Sequence, residues 1–232
     1  MDKPVAVIGG GGRVGRLVVA GLLAEGERVR VLGRSARNAT AERPTDCAFF
    51  QADVRTPATL AEPLRGCSAI VYTVEPGTAD SGPDRPETTM YRGVLNAIAA
   101  ATADGDTPHL VLVSQIYVTR KNHPINSYGG MLDWRAAGED AVRGSGLPYT
   151  VVRPSWLTNR REAGTGIRLE QGDRGDGQVS RQDVADAVLH SLADPRSRGL
   201  TFEVYNEPGA PRPWSELIAG LVPDPAHARL ER

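Results

Sequence analysis

The chain has 232 residues, with 27 basic and 28 acidic side chains, a formal net charge of -1 and a hydrophobic fraction of 40%. This length and apolar content predict a single globular domain with a substantial core, and the balanced charge argues against general binding to nucleic acid or anionic lipid. No apolar run reaches the roughly 18 to 20 residues of a membrane span, and the chain leads straight into a predicted strand rather than a signal sequence, so we expect a cytoplasmic protein.

The first predicted unit is a strand that ends in glycines and is followed at once by a helix. Residues 4–9 form a continuous apolar run, which is typical of a strand buried on both faces of a parallel sheet. From Val14 to Leu22 the apolar residues recur at helical spacing, which predicts a helix that Gly26 closes.

Strands and helices continue to alternate along the chain. The same criteria predict strands over residues 28–32, 47–51, 69–74, 109–114 and 149–153 and helices over 56–65, 86–103 and about 127–144. This alternation predicts a Rossmann-type α/β fold, a doubly wound parallel sheet with the strand order 3-2-1-4-5-6. Cys47 and Cys67 would then lie on separated segments, so we expect no disulfide. The four histidines lack a metal-ligand spacing, so we expect no metal.

The pattern loosens after Pro154, and we interpret the chain from about residue 154 onward as a small extension, or lid, on the substrate side of the same domain. Residues 160–177 are rich in Gly and Arg, which predicts a mobile loop over the site. Ser180 and Asp183 have the spacing of a capping pair at the start of a helix, so we assign Asp183 a structural role. A strand over 201–205 and a short helix over 214–219 complete the prediction.

Three glycines with the spacing GxxGxxG, Gly9, Gly12 and Gly15, follow the first strand. Without side chains there, the chain can turn tightly, the backbone can approach a pyrophosphate, and the helix can pack close to the sheet. The start of the helix also offers N–H groups to the anion. Because the motif lies between a predicted strand and a predicted helix, it favours dinucleotide binding over a merely tight turn.

The end of the second strand predicts the choice between NAD and NADP. An acidic residue there would bind the ribose 2'-hydroxyl, whereas a basic residue would bind a 2'-phosphate. The chain has Arg34 at this position, with Arg37 nearby and no competing carboxylate, and Arg13 can reach the same phosphate. NADP(H) is therefore the predicted cofactor, and the alternative is that these arginines are solvated surface charges. Asp53 and Val54 follow the third strand, beside the expected adenine ring.

Together these features resemble the atypical short-chain dehydrogenase/reductases, in the NAD(P)H-binding branch that includes biliverdin reductase B, flavin-reductase-like proteins and NmrA-like sensors. The resemblance rests on the glycine turn, the VLGR arginine, the Ala52-Asp53-Val54 segment, VLVS, SGLPYTVVRPSWL and SRQDVADAV. It implies a cofactor site with Pro154, Ser155 and Trp156 near the nicotinamide. The other implied cofactor residues are Gly9, Arg13, Val14, Arg34, Asp53, Val54, Thr73, Val74 and Ser114.

The chain departs from this family in the expected catalytic helix. Family members with proton-donor chemistry carry Tyr-x-x-x-Lys, in which the lysine lowers the pKa of the tyrosine and holds the nicotinamide ribose. Here Met131 falls at the tyrosine position and Arg135 at the lysine position. Met131 cannot donate a proton. Arg135 can supply positive charge and hydrogen bonds to the ribose, but it cannot shuttle a proton.

Other hydroxyl groups are candidates for the missing chemistry. Ser114, at the end of the fifth strand, falls where the catalytic serine of the family polarises a carbonyl. Tyr128 could act as the acid only if the helix begins differently from the family pattern, and the alternative is a partly buried tyrosine at a helix start. Tyr117 and His123 lie in the loop after the fifth strand and are further candidates.

A substrate that accepts hydride readily would need little help with its proton. Quinones and flavins behave in this way because aromatisation offsets much of the barrier. Trp156, Trp134, Tyr117 and Met131 could form an apolar slot for such a flat ring. They could equally be core residues or loop anchors.

We therefore predict an NADPH-dependent reductase that transfers hydride to a small planar conjugated carbonyl or quinone-like substrate, in the secondary metabolism of aromatic compounds. A second hypothesis is a non-catalytic NADP(H)-sensing regulatory protein, which the missing tyrosine also favours. A third is an epimerase or isomerase with a tightly held cofactor. The resemblance leaves both a monomer and a homodimer open.

Overall fold

A central sheet with helices on both faces organises the molecule. The computed structural model describes residues 3–35, 46–77 and 81–225. The strands are β1 (Val5–Ile8), β2 (Val29–Gly33), β3 (Cys47–Gln51), β4 (Ala69–Tyr72), β5 (His109–Val113), β6 (Tyr149–Pro154), β7 (Trp156–Thr158), β8 (Thr165–Glu170), β9 (Gln178–Ser180) and β10 (Leu200–Pro208). The α-helices are α1 (Gly15–Ala24), α2 (Ala61–Leu64), α3 (Arg92–Thr102), α4 (Met131–Gly144), α5 (Arg181–Ala193) and α6 (Trp214–Ala219).

The strands lie in the order β3-β2-β1-β4-β5-β6-β10-β9-β7, and β8 pairs with β10. Strands β1 to β6 are parallel to their neighbours, and β10 joins the sheet parallel to β6. The predicted fold class and the order of the first six strands are confirmed. The winding reverses between β1 and β4, and α/β proteins bind ligands in the crevice at the carboxyl ends of the strands at such a reversal.

Helices cover both faces of the central strands, which explains their continuous apolar runs. Successive side chains of a strand point to opposite faces. Val5 and Val7 of β1 therefore join a core cluster with α1 and α5, whereas Ala6 and Ile8 join a second cluster with α3 and α4. All residues of β1, β4 and β5 are buried.

The prediction of a loop throughout residues 160–177 is wrong. Strand β8 lies within this segment and pairs antiparallel with β10 over its full length. Ile167 is buried and Leu169 packs against the same core cluster. Pairing with a long neighbour and burial of alternate side chains outweigh the glycines and arginines of the segment, because strand formation depends strongly on its packing partners.

Helix α4 begins at Met131, later than predicted. A short 3-10 turn over Pro124–Ser127 precedes it. Gly129 and Gly130 then adopt left-handed backbone conformations, with φ of 60° and 69°. These two residues interrupt any helix, so Tyr128 lies in the connection before α4.

Three predictions about absent features are compared here with the described part of the chain. None of its helices combines the length and the apolar character that a membrane crossing requires. Cys47 and Cys67 are not joined by a disulfide. Among the described side chains, no group of three or more His, Cys, Asp or Glu residues is arranged to hold a metal ion. Arg37 lies outside the described residues.

Candidate functional site

The glycine turn lies where β1 meets α1. Gly9 has a φ of 82°, in the left-handed region that favours glycine. A Cβ atom at Gly15 would overlap the carbonyl oxygen of Gly9, so α1 can approach the turn this closely only with glycine there. Val14 precedes α1 without a side-chain cap, and the first turn of the helix contains no acidic residue. The N–H groups at this helix end therefore suit a phosphate ligand.

A cleft of about 890 Å³ opens beside this turn. Of the described residues predicted for cofactor, catalysis and substrate, Gly15, His123 and Trp134 do not line it. Gly15 packs beneath the turn. The others that line the cleft are Gly9, Gly12, Arg13, Val14, Arg34, Asp53, Val54, Thr73, Val74, Ser114, Tyr117, Tyr128, Met131, Arg135, Pro154, Ser155 and Trp156.

One end of the cleft lies beside β2 and β3, where the adenosine is expected. Arg34 directly follows β2, and its Nη1 donates to Oδ2 of Asp84 at 3.1 Å. The expectation that no carboxylate competes for Arg34 is therefore wrong. Asp84 lies fifty residues further along the chain, and the fold brings it to this position through the segment between β4 and α3. Sequence position near β2 could not reveal it.

Asp53 occupies the predicted place after β3, but its carboxylate is engaged. Arg55 donates to Asp53 from Nε, from Nη2 and from its backbone N–H, with Nη2 2.5 Å from Oδ2. These hydrogen bonds lower the pKa of Asp53, although burial opposes the shift. Arg55 also donates to the carbonyl oxygen of Pro83 at 3.0 Å, so it joins β3 to the segment that carries Asp84.

Ser114, Met131 and Arg135 line another part of the cleft, where the sequence predicts catalysis, and we call this part the catalytic end. Ser114 directly follows β5, is 5% exposed, and its Oγ has no hydrogen-bond partner among the described residues. Arg135 is 4% exposed and donates from Nη2 to Oε2 of Glu75 at 3.0 Å, while its Nε and Nη1 have no partner among the described residues. Met131 lies one helical turn before Arg135 on α4. This end therefore holds a buried cation and a buried hydroxyl, and Tyr128 lies nearby on the cleft lining, 54% exposed.

A buried ion network fixes the position of α4 on the sheet. Arg153 of β6 donates to Glu139 of α4 at 2.6 Å and to Glu203 of β10 at 2.9 Å, and Arg143 also donates to Glu139. Burial opposes ionisation of Glu139, but Arg153 and Arg143 outweigh it and lower the pKa of Glu139. For Glu203 burial dominates and raises the pKa. Because Glu139 lies one turn after Arg135, the network also determines where Arg135 meets the cleft.

Tyr117 and Trp156 line the cleft and contact each other, and together we call them the aromatic wall. Tyr117 has a φ of 71°, which is unusual for a bulky residue. Asp173 holds this conformation by accepting a hydrogen bond from the Tyr117 backbone N–H at 2.6 Å. The Tyr117 ring stacks on His123 and meets Trp156 edge-on, with the indole N–H 3.3 Å from the Tyr117 hydroxyl. Burial, followed by the hydrogen bond with Asp176, raises the pKa of Tyr117.

Two other predicted residues have structural roles. Trp134 does not line the cleft but stacks on Tyr91 and packs against the core, so the core interpretation holds for it. Asp183 is fully buried at the start of α5, and its backbone N–H donates to Ser180 Oγ as predicted. Its carboxylate also accepts hydrogen bonds from Ser180 Oγ, Arg161 and Asn206.

The residues of the cleft fit a dinucleotide. The turn that only glycine can form, the uncapped start of α1 and the partnerless guanidinium nitrogens of Arg135 are the features that a pyrophosphate and a ribose would use. Residues 9–195 match a family model whose description is NAD(P)H-binding. The chain belongs to this NAD(P)H-binding family.

Individual relatives of this NAD(P)H-binding protein include a named reductase. This relative is the (4-alkanoyl-5-oxo-2,5-dihydrofuran-3-yl)methyl phosphate reductase of Streptomyces griseus. The two sequences are 30% identical over 208 residues, which cover 86% of this chain and 67% of the relative. A short-chain dehydrogenase/reductase from Veillonella parvula, solved in complex with NADP, superposes with a TM-score of 0.71 at 20% identity and covers 90% of this chain and 96% of its own. ChuY, an anaerobillin reductase from Escherichia coli O157:H7, gives a TM-score of 0.72 at 22% identity, with 88% and 97% of the two chains covered.

The two solved structures have the same fold as this chain. The predicted membership of the NAD(P)H-binding family is confirmed, and so is the prediction of an NAD(P)H-dependent oxidoreductase. Four charged residues of the cleft were not predicted from the sequence: Arg55, Glu75, Asp84 and Arg181. Glu75 and Arg55 directly follow predicted site residues, and that proximity was the only signal available.

Proposed function

We propose that this oxidoreductase transfers hydride from NADPH to a small planar conjugated carbonyl or quinone-like substrate, in the secondary metabolism of aromatic compounds. The observation that carries the proposal is the catalytic end of the cleft. Met131 stands where the family has its proton donor, yet Ser114 and Arg135 remain there as a buried hydroxyl and a buried cation. Such a site suits a substrate whose reduction needs charge stabilisation more than a strong acid.

NADPH is the proposed cofactor because Arg13, Arg34, Arg135 and the glycine turn line the same cleft. The glycine turn and the start of α1 would hold the pyrophosphate, Arg34 and Arg13 the 2'-phosphate, and Arg135 the nicotinamide ribose. The V. parvula protein was solved with NADP, which supports this choice. The remaining proposed contacts are Asp53 and Val54 at the adenine, Thr73 and Val74 beside the glycine turn, and Pro154 and Ser155 at the nicotinamide.

When bound, the cofactor supplies a hydride. The Ser114 hydroxyl lines the cleft and can donate a hydrogen bond to the substrate oxygen. The guanidinium of Arg135 stabilises the negative charge that develops on that oxygen. A quinone yields a phenolate, whose conjugate acid has a pKa of about 10, as in tyrosine. That anion can take its proton from water or from Tyr128 on the cleft lining.

The substrate ring is proposed to lie between the cofactor and the aromatic wall. Trp156, Tyr117 and Met131 line this part of the cleft, and Trp156 is 49% exposed. His123 backs the Tyr117 ring, and Arg120 lies 4.5 Å from its centroid. Because these neighbours fix the Tyr117 ring in place, binding a flat substrate ring against it costs little side-chain entropy. The name of the S. griseus relative gives its substrate alkanoyl and oxo groups on a dihydrofuran ring, which supports a conjugated carbonyl.

The test is NADPH oxidation by the purified protein against a panel of quinones, flavins and aryl ketones. We expect turnover with at least one class, and a decrease of about 100- to 1000-fold in kcat for Ser114→Ala, the range of a lost hydrogen-bond donor to a developing oxyanion. Tyr128→Phe shows whether a phenol supplies the proton. Tyr91→Phe is its control, because Tyr91 does not line the cleft.

NADPH binding without turnover on any compound would contradict the reductase and favour the NADP(H)-sensing protein, which the methionine at position 131 also suits. Nucleotide that survives purification together with an isomerised product would favour the epimerase. The cytoplasmic location, the monomer or homodimer, and the lid formed by residues after about 154 stay predictions.

A further inference from the structure

At the adenosine end of the cleft, the carboxylate of Asp84 lies beside Arg34, the residue proposed to bind the 2'-phosphate. Arg34 faces Asp84 at 3.1 Å, and both side chains are partly exposed on the cleft, Arg34 by 59% and Asp84 by 41%. A 2'-phosphate that binds Arg34 must displace this carboxylate or lie beside its negative charge. Either process weakens binding of the phosphorylated cofactor.

The position of Asp84 is defined by several contacts. The carbonyl oxygen of the preceding residue, Pro83, accepts hydrogen bonds from Arg55 at 3.0 Å and from Thr88 Oγ1 at 2.8 Å. A Cβ atom at Gly77 would overlap the carbonyl oxygen of Asp84, so the chain at Gly77 passes close to it. The backbone beside Asp84 is therefore fixed by hydrogen bonds from Arg55 and Thr88 and packs closely against Gly77.

The chemistry of Asp84 differs from that of Asp53, the other carboxylate at this end. Asp53 is fully engaged by Arg55, whereas Asp84 forms an ion pair with Arg34 and acts on Arg55 only through its charge. An ion pair between partly exposed side chains is weak and exchanges easily. Once released from Arg34, a carboxylate can accept hydrogen bonds from the hydroxyls of a ribose that carries no phosphate.

We propose that Asp84 limits the preference of this protein for NADPH over NADH by competing with the 2'-phosphate for Arg34 and by accepting hydrogen bonds from an unphosphorylated ribose. The proposal rests on the proposed NADPH function and adds a specificity residue to the same site. It assigns to a carboxylate from the β4–α3 segment the role that a carboxylate at the end of β2 performs in NAD-binding folds.

The test is calorimetric measurement of the Kd for NADP+ and for NAD+ with wild type and Asp84→Asn. We expect Asp84→Asn to tighten NADP+ binding about threefold to fivefold, the range of a weak exposed ion pair, and to leave NAD+ binding unchanged or weaker. Asp104→Asn is the matched control, because Asp104 forms a similar exposed pair with Arg65 outside the cleft, at 2.8 Å.

A second variant separates competition for Arg34 from general repulsion. In an Arg34→Gln background, Asp84→Asn should no longer tighten NADP+ binding, whereas general repulsion would preserve the gain. An unchanged ratio of the two Kd values in Asp84→Asn, or a preserved gain, would overturn the proposal. If the wild type binds neither nucleotide, both the cofactor assignment and the proposed role of Asp84 are wrong. If both nucleotides bind and no substrate is reduced, the reductase fails while the role of Asp84 stands.

Discussion

At Arg135 a buried cation keeps hydrogen-bond donors that have no partner among the described residues. Its partner Glu75 is 67% exposed, so the carboxylate loses little hydration in the pair. Burying a guanidinium with partnerless N–H groups costs stability, because those groups have lost their water. A side chain that is unfavourable for folding, yet placed at the catalytic end of a cleft, is what a functional site often contains.

We expect Arg135→Met to separate stability from activity. The free energy of unfolding should stay the same or rise, because only the exposed Glu75 loses a partner, while NADPH-dependent kcat/KM should fall about 100-fold with the loss of positive charge. Urea unfolding and steady-state kinetics measure the two quantities. Arg143→Met is the contrasting variant and should lower stability, because Arg143 binds the fully buried Glu139. A large loss of stability in Arg135→Met would show that Arg135 is structural.

Among the elements, those with strong local signals were predicted correctly. The apolar runs of β1, β4 and β5 and the glycine turn identified the sheet and its phosphate-binding edge. Strand β8 was missed because its stability comes from pairing with β10, forty residues away, and the start of α4 was placed too early because two left-handed glycines delay it. In the same way, the glycine and arginine patterns located the cofactor side, but the Asp84 contact depends on tertiary folding.

Gly15→Ala tests the element that the sequence predicted most clearly. The added methyl group would overlap the Gly9 carbonyl oxygen, so α1 must move away from the turn. We expect a loss of about 1–3 kcal/mol in the free energy of unfolding, as for overpacked sites, together with loss of dinucleotide binding. Gly220→Ala is the control, since its nearest neighbour would lie 3.5 Å away. Calorimetric binding and urea unfolding measure both effects, and wild-type NADP+ affinity in Gly15→Ala would contradict this account of the turn.

The stability of the whole molecule depends on a buried histidine, His109, which is neutral above pH 4 to 5 in the folded chain. His109 of β5 lies 2.9 Å from Thr150 Oγ1 of β6, and Thr150 donates in turn to the Ser197 carbonyl. His109 Nε2 is therefore the donor to Thr150. Burial, and secondarily the charge of Arg198, lowers the pKa of His109 from 6.5 to about 4. Between these pH values the unfolded chain binds a proton that the folded chain does not.

This difference makes the stability of the fold depend on pH. The free energy of unfolding should fall as the pH decreases below 6.5, and the contribution of His109 reaches about 2 kcal/mol at pH 5. His109→Gln keeps a donor for Thr150 but does not titrate, so we expect it to lose about 2 kcal/mol less than wild type between pH 7 and pH 5 in urea unfolding. His190→Gln, at an exposed position, is the control for the substitution itself. Equal losses in wild type and His109→Gln would refute the assignment.

The bond between Asp173 and the Tyr117 backbone joins segments more than fifty residues apart, one after β5 and one after β8. The glycine turn takes no part in this bond. Sequence changes in the later segment can therefore reshape the aromatic wall while the nucleotide side is preserved. Related proteins with this fold could therefore evolve to bind different substrates through changes in the aromatic wall alone, with nucleotide binding unchanged.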